Sequence, residues 1–344
     1  MTDPSDSTKF ADFGSLATLA SVERAAFELR CGRPVFVVDE TDQASLILGT
    51  EMITDDRLLG LKNVTTNEAL HIVLTHQRAK TLKIRLYTQD VVRIPYPEWL
   101  SIQQVRHLAD PQFDLGEPMR GPFIAERTDL AASVTAGVKL AKISRILPSV
   151  IAASVPAVHV GKFPHIIMVT ANDVLDYDTE SASKLQRVAS AKVPLNGAEN
   201  SRITAFRPPD GGIENLAIII GDPNSEHSTL VRIHSECFTG DLLGSIKCDC
   251  GDQLRGAINH IAKEGNGVLL YLAQEGRGIG LINKLRAYSL QDQGFDTVEA
   301  NQRLGFEDDE RMFLAAAEML KQLGVSNVRL LSDRKSTRLN SSHW

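Results

Sequence analysis

The stretch Val231–Asp252, VRIHSECFTGDLLGSIKCDCGD, holds three of the four cysteines in a chain of 344 residues, spaced Cys237-x10-Cys248-x-Cys250. Leu230–His234 reads as a strand that delivers Arg232, His234 and Glu236 to one side and runs directly into Cys237. Cys248 and Cys250 are two residues apart, so on extended backbone both sulfurs leave the same face, and a return across the connecting residues brings Cys237 beside them. Three thiolates with no obvious fourth protein ligand predict a metal centre that keeps a position for water. Two bland readings compete with it. One is a structural zinc completed by His234 or a carboxylate, and the other is a set of thiols packed as small hydrophobes.

The residues that follow predict a mixed α/β domain around this loop. Gln253–Glu264 places Leu254, Ala257, Ile258 and Ile261 on one helical face, with Gln253 at the end nearest the cysteines. Val268–Leu272 reads as a buried strand, Glu275–Gly280 as a glycine-rich turn, and Leu281–Gln291 as a helix. Glycines let backbone approach an anion and a helix N-terminus favours negative charge, so this turn can cradle phosphate, with Arg277, Lys284 and Arg286 as cations. The pattern is neither a P-loop nor a dinucleotide fingerprint, and taken alone it also fits an ordinary turn. Glu310–Leu323 is expected to be a helix burying Phe313, Ala316, Ala317, Leu320 and Leu323, ended by Gly324 and followed by the strand Val328–Leu331. Asp309 and Arg311 then fall at the helix start.

Six motifs occur in order between Leu185 and Ser332: RIHSEC, CDCGDQL, QEGRGIGL, NKLRAYSLQDQG, DTVEAN and LGFEDDER. This region resembles GTP cyclohydrolase II. The resemblance implies opening of the imidazole ring of GTP, with release of formate and pyrophosphate, as the first step of riboflavin synthesis. It implies one Zn²⁺ per chain on Cys237, Cys248 and Cys250, activating the water that attacks guanine C8. It assigns Tyr288 a place near the ring, Asp309 the part of general base, and Arg311 that of nucleophile toward the α-phosphate. Guanidinium is always protonated, so a charge-stabilising part suits Arg311 better. Arg232, Ile233, His234, Ser235, Glu236, Gln253, Glu275, Gly276, Arg277, Thr297 and Ser332 match positions that contact GTP. The guanine edge presents adjacent N–H donors, which a carboxylate such as Glu275 accepts well. Mg²⁺ accompanies the triphosphate, and the resemblance implies a homodimer.

Upstream, Leu16–Arg30 has a helical face, Gly32 and Pro34 stop it, and Val35–Val38 (VFVV) is a strand. Ala25–Asp42, AAFELRCGRPVFVVDETD, resembles the start of 3,4-dihydroxy-2-butanone 4-phosphate synthase. That family continues with an acidic loop of the form DRENEGD, where this chain has Asp42-Gln43-Ala44-Ser45. Without paired carboxylates there is neither a hard-cation site nor a base for enolisation, so the region reads as a non-catalytic relic. Asp39, Glu40 and Asp42 fit a solvated turn. Thr81–Tyr87 alternates as a strand would, Ile143–Ala152 carries a helical pattern, and His71, His76 and His107 lie among apolar residues with no evident partner.

The expected organisation is a disordered lead-in at 1–14, a degenerate synthase-like α+β domain at 15–172, and a polar linker at 173–184. A cyclohydrolase domain at 185–332 follows, then a foreign-looking tail at 333–344. The family continues its last strand as LLTNNP with a lysine beyond, whereas LLS here is followed by DRKSTRLNSSHW; only the Ser332 hydroxyl is kept. A net charge of −6 argues against nucleic acid as a partner. No apolar run reaches the ~18 residues of a membrane span, and MTDPSDSTKF is no secretory signal, so a cytoplasmic protein is expected. The alternative function is a catalytically impaired nucleotide-binding or regulatory homologue, separated from the enzyme by whether formate is released.

Overall fold

The computed structural model describes residues 13–41, 43–66, 68–118, 120–223 and 228–332. Most of the expected lead-in, Asp42 and the tail 333–344 lie outside the described residues. The chain forms α1 (Phe13–Arg30), β1 (Val35–Val38), β2 (Gln43–Gly49), α2 (Asp55–Val64), β3 (His71–Thr75), α3 (His76–Thr81), β4 (Val91–Pro95) and α4 (Ile102–Ala109). It continues with α5 (Ala132–Ile143), β5 (Ser149–Pro156), β6 (Met168–Thr170), α6 (Ala171–Ser183), β7 (Gln186–Lys192), β8 (Ser201–Arg207), β9 (Asn215–Ile220) and β10 (Thr229–Ser235). It closes with α7 (Cys250–Glu264), β11 (Gly267–Leu272), α8 (Leu281–Asp292), α9 (Thr297–Arg303), α10 (Leu314–Gln322) and β12 (Val328–Leu330). Among the described residues two compact units result, 13–177 with 279–310, and 178–278 with 311–332. Both are mixed α/β.

The first unit is built on a six-stranded sheet of order β4-β3-β5-β2-β1-β6, antiparallel except for the β1–β6 pair. Its central strands are buried on both faces, with successive residues alternating between two cores. Val35, Val37, Ile47, Val73 and Val150 face the layer of α1 and α5, while Phe36, Leu46, Leu48, Ile72, Leu74 and Ile151 face that of α4. Two expectations fail here for that reason. Ile143–Ala152 is not helical, because α5 ends at Ile143 and β5 is a central strand whose continuous apolar run has no period to betray it. Thr81–Tyr87 forms no strand. Lys83 takes a left-handed φ of 58°, and the alternation instead buries Ile84 and half-buries Leu86 from an irregular connection.

The stretch 173–184, expected as a linker, is mostly α6. Thr170 accepts the Asp173 N–H at its start, and Val174 and Tyr177 are buried in the first core while the acidic residues take the outer face.

The second unit is a six-stranded sheet of order β12-β10-β11-β9-β8-β7. β10 lies between β11 and β12 and is parallel to both, whereas β9, β8 and β7 continue antiparallel. Parallel neighbours share their carboxyl ends, so the segments leaving β10 at Ser235 and β11 at Leu272 emerge side by side. β12 and β7 are the sheet edges, and β7 is exposed along its length. α10 begins at Leu314, four residues later than expected, so Asp309 and Arg311 sit in the turn before it. Glu310 closes that turn by accepting the Glu307 N–H at 2.9 Å.

Candidate metal and nucleotide site

The three cysteines meet at the carboxyl end of β10. Their sulfurs all lie within 4.8 Å of one another, with Cys237 Sγ and Cys248 Sγ 3.6 Å apart. The route differs from the extended hairpin expected of them: Cys250 is the first residue of α7, and Asp249 before it has φ −99° and ψ 11°. A wide turn at Phe238–Leu242 carries the chain back toward Cys237. Gly240 in that turn has no room for a side chain. A Cβ there would lie 2.7 Å from Cys248 Sγ, 2.9 Å from Cys250 Cβ and 3.0 Å from Cys237 Sγ. Gly251 is pressed as closely, since its Cβ would meet Gly240 O at 2.3 Å.

This donor set fits a soft or borderline cation. Three thiols share a small, largely buried space. Burial, and then the neighbouring thiols of Cys237 and Cys248, push the Cys250 thiol well above its ordinary range, because thiolates side by side repel. A bound divalent cation reverses that preference by pairing with all three charges. Thiolate ligands favour zinc over magnesium or calcium.

Beneath the sulfurs lies a polar cluster that the sequence reading missed. Asp241 accepts from His234 Nε2 at 3.1 Å, from the Tyr271 hydroxyl at 2.9 Å and from the Cys237 N–H at 3.0 Å. The His234 and Tyr271 rings stack at 5.6 Å between centroids. Burial drives the Asp241 carboxyl up, but the hydrogen bonds from His234, Tyr271 and the Cys237 N–H outweigh it and hold the group below the usual carboxylate range. The same burial, with Asp241 as its acceptor, pushes the Tyr271 phenol up. His234 Nε2 is thus engaged by Asp241, and His234 is not part of the three-thiol cluster.

The predicted nucleotide contacts of the second unit gather around this loop. Arg232 donates to Gln253 Oε1 at 2.8 Å and to Leu331 O at 3.2 Å, tying β10 to α7 and to the chain after β12. Glu275 is buried and accepts the Phe238 N–H at 2.6 Å and the Gly276 N–H at 3.1 Å, so its carboxylate holds the metal loop from the β11 side. Gly276 and Arg277 both adopt left-handed backbone, with φ 66° and 62°, which turns the Arg277 side chain out to solvent. Gln274, missed by the sequence reading, links Ser235 Oγ at 3.0 Å to the Met312 N–H at 3.0 Å. Ile233 and Glu236 are half-buried, Arg311 lies 5.5 Å from the Phe313 ring, and Ser332 is exposed.

Tyr288, Thr297 and Asp309 belong to the first unit. Tyr288 is half-buried on α8 with Lys284 Nζ 5.8 Å from its ring, Thr297 opens α9 and accepts from Gln291 at 2.8 Å, and Asp309 is exposed. Arg286, expected among the phosphate cations, pairs instead with Glu51 at 3.0 Å and Asn283 at 2.7 Å. Two of the three histidines read as unpartnered have acidic partners, whereas His76 keeps a buried Nε2 with no hydrogen-bond partner among the described residues. His71 lies 3.1 Å from Glu126 and His107 lies 2.8 Å from Glu117. Asp39 accepts from Thr41 and Ser133, and Glu40 from Asn172, so both acids complete local structure.

Comparison with known proteins decides the family. A GTP cyclohydrolase-2 from Azospirillum brasilense is 46% identical over 324 residues, covering 92% of this chain and 83% of that protein. This chain belongs to the GTP cyclohydrolase II family. The family's own model, GTP cyclohydrolase II, matches residues 186–342 and so includes the cysteine loop, the glycine turn and much of the stretch read above as a tail. A GTP cyclohydrolase-2 from Citrobacter koseri is 53% identical over 150 residues, 44% of this chain and 76% of that protein. Among solved structures, a two-domain 3,4-dihydroxy-2-butanone 4-phosphate synthase from A. baumannii aligns over 91% of this chain and 94% of its own, at 13% identity and a TM-score of 0.36. Among the described residues no helix is long and apolar enough to cross a membrane.

Proposed function

We propose that this member of the GTP cyclohydrolase II family opens the imidazole ring of GTP, releasing formate and pyrophosphate, with one zinc on Cys237, Cys248 and Cys250 and Mg²⁺ on the triphosphate. The observation that carries the reading is the three-thiol cluster, drawn together against Gly240 with no fourth protein ligand among the described residues. Zinc, when bound, supplies the Lewis acidity that makes water a nucleophile near neutral pH.

The chain's own residues do the rest. Asp241 and Glu275 each accept an N–H of the loop that begins at Cys237, so the thiols are fixed before a metal arrives. Glu275 is the carboxylate proposed for the guanine edge, and Arg232, Gln253 and Arg277 supply polar contacts around the nucleotide. In this reading Tyr288 lies against the ring and donates a proton, and Asp309 takes one from water. Arg311 stabilises charge on the α-phosphate, while Ile233, His234, Ser235, Glu236, Gly276, Thr297 and Ser332 complete the substrate contacts. By resemblance, residues 15–172 are a synthase-like region that has lost its chemistry and 185–332 the cyclohydrolase region, although 279–310 of the latter folds with the first unit. Homodimeric assembly and a cytoplasmic location belong to the same reading and rest on resemblance.

The test is direct. Zinc-loaded protein incubated with GTP and Mg²⁺ is expected to release formate and pyrophosphate in equal amounts. Tight GTP binding with no formate from fully zinc-loaded protein would support the regulatory homologue instead.

A further inference from the structure

The segment 279–310 lies within the family match, yet it folds into the core of the first unit. Ile279, Ala287, Leu290, Ala300, Leu304 and Phe306 form one buried cluster with Ala109 and Leu147. Gly305 seals the joint. Its φ of 90° suits glycine, and a Cβ would lie 2.9 Å from Thr75 Oγ1 and 3.0 Å from Pro148 Cγ. Arg78, 1% exposed, donates to Arg303 O at 3.3 Å and is held bidentate by Asp114 at 2.7 and 2.8 Å.

Two ion pairs reach further, toward the elements that bear proposed reacting groups. Lys142 Nζ on α5 lies 2.6 Å from Glu310 Oε1, the same oxygen that accepts the Glu307 N–H and closes the turn holding Asp309. Glu51 Oε2 meets Arg286 at 3.0 Å, two residues before Tyr288 on α8, and also accepts the Leu147 N–H at 3.1 Å. Asn283 on the same helix donates to Arg145 O at 3.2 Å. Both ion pairs are largely screened from solvent, the side chains being 16–25% exposed, so they are stiffer than surface pairs.

We propose that the first unit is a working part of the cyclohydrolase, in which Lys142 and Glu51 act as positioning residues for Asp309 and Tyr288. This rests on the functional reading above, which assigns those two residues their parts. A turn or helix displaced by about 1 Å costs up to about a hundredfold in rate without loss of binding, because reacting groups must be held within fractions of an ångström.

The test uses the full chain. Lys142→Met and Glu51→Ala are each expected to lower kcat for formate release by about 10- to 100-fold. KM for GTP should change less than about threefold, and zinc content should stay at the wild-type level. Lys142→Arg, which keeps the charge and a donor, is expected to recover most of the rate. Hydrogen exchange supplies a reading free of catalysis: amides of 304–310 should exchange faster in Lys142→Met, with those of 250–264 unchanged. Wild-type kcat in both folded, zinc-loaded variants overturns the proposal, as does unchanged exchange at 304–310. A wild-type chain that releases no formate sinks the functional reading alone, and exchange then decides whether Lys142 anchors the turn.

Discussion

Gly240→Ala tests the metal centre without touching a ligand. The glycine does not need left-handed backbone, so alanine adds only a methyl group, placed 2.7 Å from Cys248 Sγ and 3.0 Å from Cys237 Sγ. Ordinary contact begins near 3.4 Å, so Cys248 must give way by about 0.7 Å, several times the ~0.2 Å tolerance of a zinc–ligand distance. Overpacking of this kind typically costs about 1–3 kcal/mol. If the strain falls on the bound geometry, zinc affinity weakens on the order of 5- to 150-fold. The assay is a zinc titration of apo protein against a chromophoric chelator, beside Gly256→Ala as control. Gly256 lies on α7 with open space around it, so its alanine variant should bind zinc normally and be more stable by about 1 kcal/mol. Wild-type zinc affinity in Gly240→Ala would refute the argument that the three sulfurs close on this glycine.

Cys248→Ser and Cys250→Ser are each expected to lose stoichiometric zinc, since a hydroxyl replaces a soft thiolate poorly, and full metal content in both would remove the ligand assignment. Arg277→Gly relieves a left-handed φ of 62° and should raise the melting temperature while weakening GTP binding on the order of tenfold to a hundredfold; a drop in both would place Arg277 in the scaffold. Burial, then Arg93, hold the His71 imidazole below its ordinary pKa of 6.5 against the pull of Glu126. The unfolded chain therefore binds the extra proton first, and stability is full above pH 6.5 and falls as pH drops below it. His71→Gln should flatten the decline in melting temperature between about pH 6.5 and 5, and an unchanged slope would show that other groups carry it. Ribulose 5-phosphate with Mg²⁺ should yield no formate, because Asp39 and Glu40 are committed to Thr41, Ser133 and Asn172; turnover would restore the first domain to catalysis.

The parts of this chain that could be read in advance were those with a local cause. Cys237, Cys248 and Cys250 announced themselves by rarity, β10 by its apolar run into them, and β11 and α8 by the glycines that follow each. β5 was hidden because burial on both faces erases the period of two. Asp241 was hidden because nothing in a sequence says that a carboxylate four residues past a ligand will fold back onto its N–H. The placing of 279–310 in the first unit depends on Gly305, Leu147 and Glu51, which are separated from their partners by more than a hundred residues and obey no local rule.

That placing also sets an order of events as the chain leaves the ribosome. The first unit is discontinuous: it lacks Leu290, Leu304 and Phe306 until residue 310 has been made. Until then Ala109, Leu147 and the buried Arg78 face no partner from that segment. At about 5–20 residues per second, the hundred-odd residues between the two pieces impose a wait of roughly 5–20 seconds. During that wait the second unit's β7 to β11 emerge with the earlier seat still open. Contacts so far apart in sequence close slowly, and a half-built core is prone to association with its neighbours. Expression at lower temperature, or with chaperones that cover apolar surface, should therefore raise the yield of folded chain more than it would for a protein whose domains are made one after the other.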